Sequence, residues 1–452
     1  MEFKRALIAQ STAVGLVVLA IAASVVVALS IAPGGMFSTV QTTVPLTSSS
    51  LAPTSSQPES CAVPPCATLV SGWLHTNSGD TNIYDSSGNV VRLIGLNTMG
   101  LEYGTGTSNS DPCRFGWGGQ DAGGFSTNEF DEIASWGFNF VRLPVSWENL
   151  EPTPPTLGSD GSWVHHWNSA YLSEVDYFVN QFGQRHIAVI LDFHQVDLSP
   201  AFQQAPGGVH GTFCEGWGEP TWLYPSITSP TTGAELAGAV CGFFNDRSMV
   251  GDTVPDPIEG LEAAEQMLAG RYVNNPTVVG MDLFNEPWFP RSCGSTATAD
   301  GLLMSFDAKL SNAVSYANPH LLIVFEDPPK NLMPWSNPPL LTAPPAIPNA
   351  VYEVHIYTPD WETAQPLLEA YLSNGKRWGI PLYVGEFNAF YAGDKAIYAV
   401  VDPNWQVDTA SMLAFSKANG ISWSFWSYTS LGTNVPTPES KTEMLAILRE
   451  GI

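Results

Sequence analysis

Three observations predict an α/β fold built as a closed (β/α)8 (TIM) barrel. Short β-rich runs alternate with helical patterns from residue 91 to residue 449, as a parallel sheet with crossover helices requires. Eight such strand runs occur, the number that closes a small barrel around packed side chains. The first run is not followed by the glycine-rich phosphate turn of a doubly wound open sheet.

Ahead of the barrel the chain reads in two parts. Lys4 and Arg5 precede Ala6–Ala32, a stretch with no charged residue. About 20 apolar residues span a bilayer, whereas a secretory apolar region runs to about 7–15. Residues 1–35 are therefore expected to be an N-terminal membrane anchor, with a cleaved signal peptide as the alternative, and the basic flank keeps the amino end in the cytoplasm. The bulk of the chain is then extracellular, either anchored to the membrane or secreted. Residues 36–66 are rich in Ser, Thr and Pro without hydrophobic period, and read as a linker to the barrel domain over residues 67–452.

Within that domain, Asn82–Asp85, a turn over Ser86–Asn89 and the run from Val90 predict a β-hairpin before the first strand. Strands are predicted at Val91–Asn97, Phe138–Leu143, His186–Asp192, Thr277–Phe284, Leu321–Glu326, Ala350–His355, Ile380–Gly385 and Gly420–Phe425. Each is a short apolar or β-branched run bounded by turn residues. Helical spacing marks Thr127–Trp136, Tyr171–Phe182, Pro257–Tyr272, Gly301–Tyr316, Thr363–Asn374, Trp405–Lys417 and Ser440–Arg449; the proline-rich segment after Glu326 marks its helix poorly. Long loops are expected after the first and third strands, the second running from Phe193 to Pro255, on the face where such barrels carry their sites.

Composition narrows the function. Of 452 residues, 44% are hydrophobic and 11% aromatic, enough for a large core, and the net charge is −26. The imbalance comes from missing Lys and Arg, since 13% of residues are charged against about 25% in an average globular chain. A salt-adapted surface would show excess Asp and Glu; this one predicts a protein that works in acid. The acidic balance excludes nucleic acid as a partner. Six cysteines, Cys61, Cys66, Cys113, Cys214, Cys241 and Cys293, predict disulfides in an exported chain, with Cys61 and Cys66 near enough to close a small loop. They lack the paired spacing of a zinc site, so no metal is expected.

Strand ends supply the chemistry. Asn285-Glu286 ends the fourth run, and Glu386 follows the seventh. A carboxylate at the carboxyl end of a buried parallel strand is costly without a task. Two of them facing one cleft are what glycoside hydrolysis requires. The other ends give Arg142, His194, His355 with Tyr357, and Trp426. His165 and His166 read as solvated loop residues.

Taken together, Arg142, His194, Asn285, Glu286, His355, Tyr357, Glu386 and Trp426 form an ordered set that closely resembles glycoside hydrolase family 5, over roughly residues 69–452. The hairpin before the first strand is also a feature of that family, whereas Thr98-Met99 stand where many relatives carry aromatic residues. The resemblance implies a retaining mechanism with Glu386 as nucleophile and Glu286 as acid/base. It implies substrate contacts from Arg142, His194, Asn285, His355, Tyr357 and Trp426, and no cofactor. Arg142 and the Tyr357 hydroxyl are suited to favour an ionised Glu386, Asn285 to bind a sugar 2-hydroxyl, and Trp426 to face a sugar ring. Trp117, Trp147, Trp217, Trp222 and Trp288 suit an extended β-linked glycan. The implied activity is an endo-β-1,4-glucanase, with a β-mannanase or an endoglycoceramidase-like glycosidase as alternatives. A reading from another class is an inactive carbohydrate-binding barrel at the cell surface, which would need no intact carboxylate pair.

Overall fold

A computed structural model describes residues 64–104, 127–203, 218–227, 233–388, 403–428 and 438–452. Eight parallel strands close a barrel: β1 Ile94–Asn97, β2 Phe140–Val145, β3 Ala188–Phe193, β4 Val278–Asp282, β5 Leu322–Glu326, β6 Ala350–Ile356, β7 Leu382–Phe387 and β8 Ser422–Phe425. Every residue of these strands is buried. That burial explains why they read as continuous apolar runs rather than alternating ones.

The helices Thr127–Ser135, Ser169–Gln184, Pro257–Arg271, Thr296–Ala317, Trp361–Trp378, Trp405–Ala418 and Pro438–Glu450 form the outer layer. Their starts follow side-chain capping in several places: Asn168 accepts from Tyr171 N, Ser295 from Thr298 N and Asp360 from Thr363 N, each satisfying a donor that the first turn leaves unpaired.

Two expectations need correction. No helix follows β5: residues 327–349 are turns and bends, because their prolines remove backbone donors and exclude the helical conformation before them. The long segment after β3 is not a bare loop, since Pro200–Gln203 and Gly233–Phe244 are helical. The latter buries Val240 and Phe243 against the core, its glycines and alanines having hidden the pattern.

The expected hairpin is present but belongs to a three-stranded antiparallel sheet, His75–Thr76, Ile83–Tyr84 and Val90–Val91. Asp85 organises its turn, accepting from Ser87 N and Asn89 N at 2.9 Å each, with Gly88 at φ 81°, a left-handed geometry that glycine adopts without strain. Leu74, Ile83 and Val91 of this region pack with the barrel-lining Phe140, Ile190, Val279, Val324, Val351 and Tyr383, so the sheet floors the barrel.

Cys241 and Cys293 form a disulfide with Cα atoms 5.3 Å apart, and Cys66 is also disulfide-bonded. Cys61, Cys113 and Cys214 lie outside the described residues, as do the expected anchor and nearly all of the linker. Among the described residues, no helix is long and apolar enough to cross a membrane.

Candidate active site

The strand period of two decides what enters the barrel. Along β2 the inward side chains are Phe140 and then Arg142; along β3, Ile190 and then Asp192; along β5, Val324 and then Glu326; along β6, Val351, Glu353 and His355. Apolar residues thus fill the lower layers and charged ones the layer at the carboxyl ends. All eight residues singled out in the sequence come together there.

Arg142 is the hub. Its Nη1 lies 2.9 Å from Asp192 and 2.9 Å from Glu386, its Nη2 2.5 Å from Asp282, and its Nε 3.4 Å from Glu353. It also donates to Asn97 Oδ1 at 3.1 Å and Asn285 Oδ1 at 2.9 Å. Burial alone would lower this guanidinium, but Asp192, Glu353, Asp282 and Glu386 outweigh it and hold Arg142 well above its ordinary value. Removing one partner from a fully buried pair of this kind costs about 3–5 kcal/mol. Burial, with Glu353 adding, raises Asp282 above the usual carboxylate range, while Arg142 works against that.

A backbone irregularity sets the second cluster. The β6–β7 register shifts between Val354 and His355, bringing His355 opposite Glu386; bulges re-aim side chains in this way. Gly385 occupies the shift because a Cβ there would stand 1.4 Å from Glu353 Oε1. His355 Nδ1 is 3.0 Å from Glu286 Oε1, 3.5 Å from Glu326 Oε1 and 3.6 Å from Glu386 Oε2, while its Nε2 is 3.3 Å from Glu353 Oε1. Burial opposes the charge on His355, yet Glu326 and Glu386 around it raise its pKa well above the ordinary value.

Glu286 and Glu386 each place a carboxylate oxygen, and His355 a ring nitrogen, within 4.8 Å of one another. Burial pushes Glu286 up, but the hydrogen bond and charge of His355 outweigh it and bring the carboxyl below its usual range. Glu386 is raised by burial, with His355 and Arg142 working against that and Glu286 adding to it. Tyr357 donates its hydroxyl to Glu386 Oε2 at 2.8 Å; burial and Glu386 hold that phenol neutral. Three such groups have the spacing of a cation site, but Arg142 and His355 already supply positive charge at the same oxygens.

Other members of the set are held from behind. Asp192 Oδ2 lies 2.8 Å from His194 Nδ1, and the imidazole stacks on Trp426 with centroids 5.1 Å apart at 9°. Burial would lower His194, but Asp192 outweighs it and raises it. Asn285 Nδ2 donates to Gln195 O at 3.0 Å, and Gln195 Nε2 returns to Asn285 O at 2.6 Å and Glu286 O at 3.0 Å. β4 ends sooner than its sequence predicts, and Glu286 sits beyond it at φ 46°, its N–H donating to Glu326 Oε2 at 2.5 Å.

Sequence reasoning missed Gln195, Asp282, Glu326 and Glu353. Three of them carried a signal, an acidic residue inside or ending an apolar strand run; Gln195 is an amide past the end of β3 and carried none. It also misplaced two residues. Trp147 is 2% exposed and packs edge-on against Trp222, so it is core rather than a sugar platform. His165 is not a solvated loop residue, since it stacks on Trp167 at 4.7 Å and bonds Glu151 Oε1 at 2.8 Å. Trp222 and Trp288 are half-buried against the core, and Trp117 and Trp217 lie outside the described residues.

Comparison with known proteins gives the same direction. An endoglucanase of Paenibacillus polymyxa is 26% identical over 395 residues, covering 80% of this chain and 81% of that protein. Endoglycoceramidase I of Rhodococcus hoagii (strain 103S) is 27% identical over 245 residues, covering 51% of this chain and 44% of that protein. Among solved structures, endo-glycoceramidase II from Rhodococcus sp. in complex with ganglioside GM3 shares the fold at TM-score 0.60 and 22% identity, covering 82% of this chain and 81% of that one. The family model Cellulase (glycosyl hydrolase family 5) matches residues 84–432. This chain is therefore a glycoside hydrolase, and it belongs to glycosyl hydrolase family 5.

Proposed function

We propose that the chain is a retaining endo-β-glycosidase, with a β-1,4-glucan as its substrate. The observation that carries this reading is that one carboxylate oxygen of Glu286 and one of Glu386 lie within 4.8 Å of each other. Retaining enzymes hold their two carboxyl groups about 5–5.5 Å apart, whereas inverting ones leave room for a water at about 6.5–9.5 Å. Glu386, oriented by Arg142 and Tyr357, attacks the anomeric carbon and forms a covalent glycosyl ester as the glycosidic C–O bond breaks. Glu286 gives its proton to the departing oxygen, then takes one from the water that cleaves the ester. Asn285 has a second Nδ2 hydrogen for a sugar hydroxyl, and Trp426, braced by His194, offers a flat apolar face.

The protein groups alone bias Glu286 toward ionisation and Glu386 toward protonation, the reverse of what the first step uses. Carboxyls this close share their protons as one pair. Positive charge developing on a sugar against Glu386 favours its ionised form and moves the proton to Glu286.

The likeness to the Paenibacillus endoglucanase, which runs over most of both chains, supports a glucan. The likeness to endoglycoceramidases supports a second reading, a β-linked glycolipid. A reducing-end assay on β-glucans and β-mannans, run beside release of sugar from glycosylceramides, separates them. Glu386→Ala and Glu286→Gln should each lower turnover on a natural substrate by several orders of magnitude with the fold retained. Undiminished turnover in either variant refutes the assignment.

We also place the catalytic body outside the cytoplasm. The Lys4-Arg5 flank before an uncharged apolar segment and the Cys241–Cys293 disulfide support this, and mass spectrometry of the mature amino terminus separates an anchor from a cleaved peptide.

A further inference from the structure

We propose that Glu326 is a positioning residue that governs the charge on Glu286 by competing with it for the His355 Nδ1 proton, and so sets the upper pH limit of acid catalysis. The inference rests on the proposed role of Glu286 as acid/base. It concerns a carboxyl that touches no substrate.

The geometry is specific. Glu326 ends β5 with its side chain fully buried. Its two oxygens do different things. Oε2 accepts from the backbone N–H of Glu286 at 2.5 Å and so pins a residue held at φ 46°, a conformation that costs a non-glycine residue about 1 kcal/mol or more. Oε1 has no hydrogen-bond partner and lies 3.5 Å from His355 Nδ1, whose bond to Glu286 Oε1 measures 3.0 Å. One N–H thus stands between these two carboxyl groups, with Glu386 Oε2 facing it as a third at 3.6 Å, and can serve only one of them well.

The surroundings make the competition matter. Glu326 is faced by Glu286 from the end of β4, by Glu353 and His355 from β6, and by Arg142 from β2, with Asp327 next in its own chain. Tyr371, on the helix Trp361–Trp378, also senses its charge. Burial raises Glu326 well above its usual value, with His355 working against that and Glu353 and Glu286 adding to it.

Glu286 and Glu326 therefore share one proton between them. With the proton on Glu326, His355 bonds an ionised Glu286, which cannot act as an acid. With the proton on Glu286, the imidazolium is left to an ionised Glu326. The proton that Glu286 gives to the leaving oxygen returns from water in the second step, so Glu326 ends the cycle as it began. A neutral amide at position 326 removes the competitor and the like charge together, and His355 then holds Glu286 ionised to lower pH.

The test is the pH dependence of kcat/KM for the full chain and for Glu326→Gln, whose amide oxygen still accepts from Glu286 N. The alkaline limb is expected to move to lower pH by about one unit, the size of a neighbouring-charge effect at this range. The loss should be larger, by about tenfold, on an oligosaccharide than on an aryl glycoside whose good leaving group needs little acid assistance. Glu326→Asp keeps an ionisable group and should hold the limb nearer its original place. A limb that coincides with the parent's, equal losses on both substrates, or an Asp variant displaced as far as Gln overturns the proposal. Failure of the glycosidase reading shows differently, as absence of turnover in the parent. Carbon-13 NMR titration of the glutamate carboxyls in parent and Gln proteins then reads the same competition without turnover, and an unmoved Glu286 titration overturns it.

Discussion

Replacing Tyr357 by Phe removes a single oxygen and tests how far that hydroxyl favours the ionised form of Glu386. The hydroxyl donates to Glu386 Oε2 at 2.8 Å, while Oε1 is bonded independently by Arg142 at 2.9 Å. A hydrogen bond to a charged group contributes about 1.5–3 kcal/mol, and one pKa unit corresponds to about 1.4 kcal/mol. The loss therefore predicts a rise of about one to two units in the Glu386 value. The lower end is expected, because Arg142 remains in place. Water offers little relief, since the Glu386 side chain is 5% exposed. The direction follows from which form is stabilised: the donor favours the carboxylate, so its removal favours the acid. The Glu386 carboxyl, followed by carbon-13 NMR titration, should move to higher pH by about one unit, while Glu286, which Tyr357 does not bond, moves less. An unmoved Glu386 titration, or equal displacement of both carboxyls, would refute the reasoning.

Gly385→Ala should destabilise the fold by about 1–3 kcal/mol or more, the cost of overpacking a filled interior, because the new methyl would meet Glu353 Oε1 at 1.4 Å; a denaturant midpoint equal to the parent's contradicts this. Stability should also fall as pH rises from 5 to 8. Burial raises Glu102 to about 7 and Asp327 to about 6, and it raises Glu219, Glu265 and Asp307 well above their usual values. Each holds a proton when folded that the unfolded chain has already released, so its contribution is complete below the unfolded value and is lost as pH climbs through the folded one. His194 and His355, also raised, act in the same direction, while Glu286, held below its usual range, is ionised in both states across this window and leaves the trend unchanged. Midpoints that are equal or higher at pH 8 would overturn this account.

Much of this is legible in the amino-acid sequence itself. Strand runs such as Thr277–Phe284 and Ile380–Gly385 declared themselves because parallel strands covered on both faces are apolar throughout, and the two glutamates stood out where those runs stopped. Arg142, His194, His355, Tyr357 and Trp426 were found by the same rule and do converge. What escaped were residues whose meaning depends on long-range register. Glu353 reads as a polar interruption within β6 until the barrel closes and Gly385 opens space for it beside Arg142. Glu326 reads as the end of a strand until Glu286 adopts a positive φ and turns its N–H toward it. Trp147 was misread for the opposite reason: residue type suggested a platform, but its indole fills the space that Gly260 leaves, where a Cβ would stand 2.7 Å from its ring.

The small sheet under the barrel has a consequence for chemistry at the other end. With Leu74, Ile83 and Val91 corking the lumen, the ring of acids around Arg142 sits at the bottom of a blind vessel. Among the described residues that apolar floor closes the lower end, so the proposed sugar would enter from the carboxyl ends of the strands. On the proposed mechanism a glycan seated there would cover the acids from above, and the proton that Glu286 gives up would be replaced by the water that enters after the first product leaves.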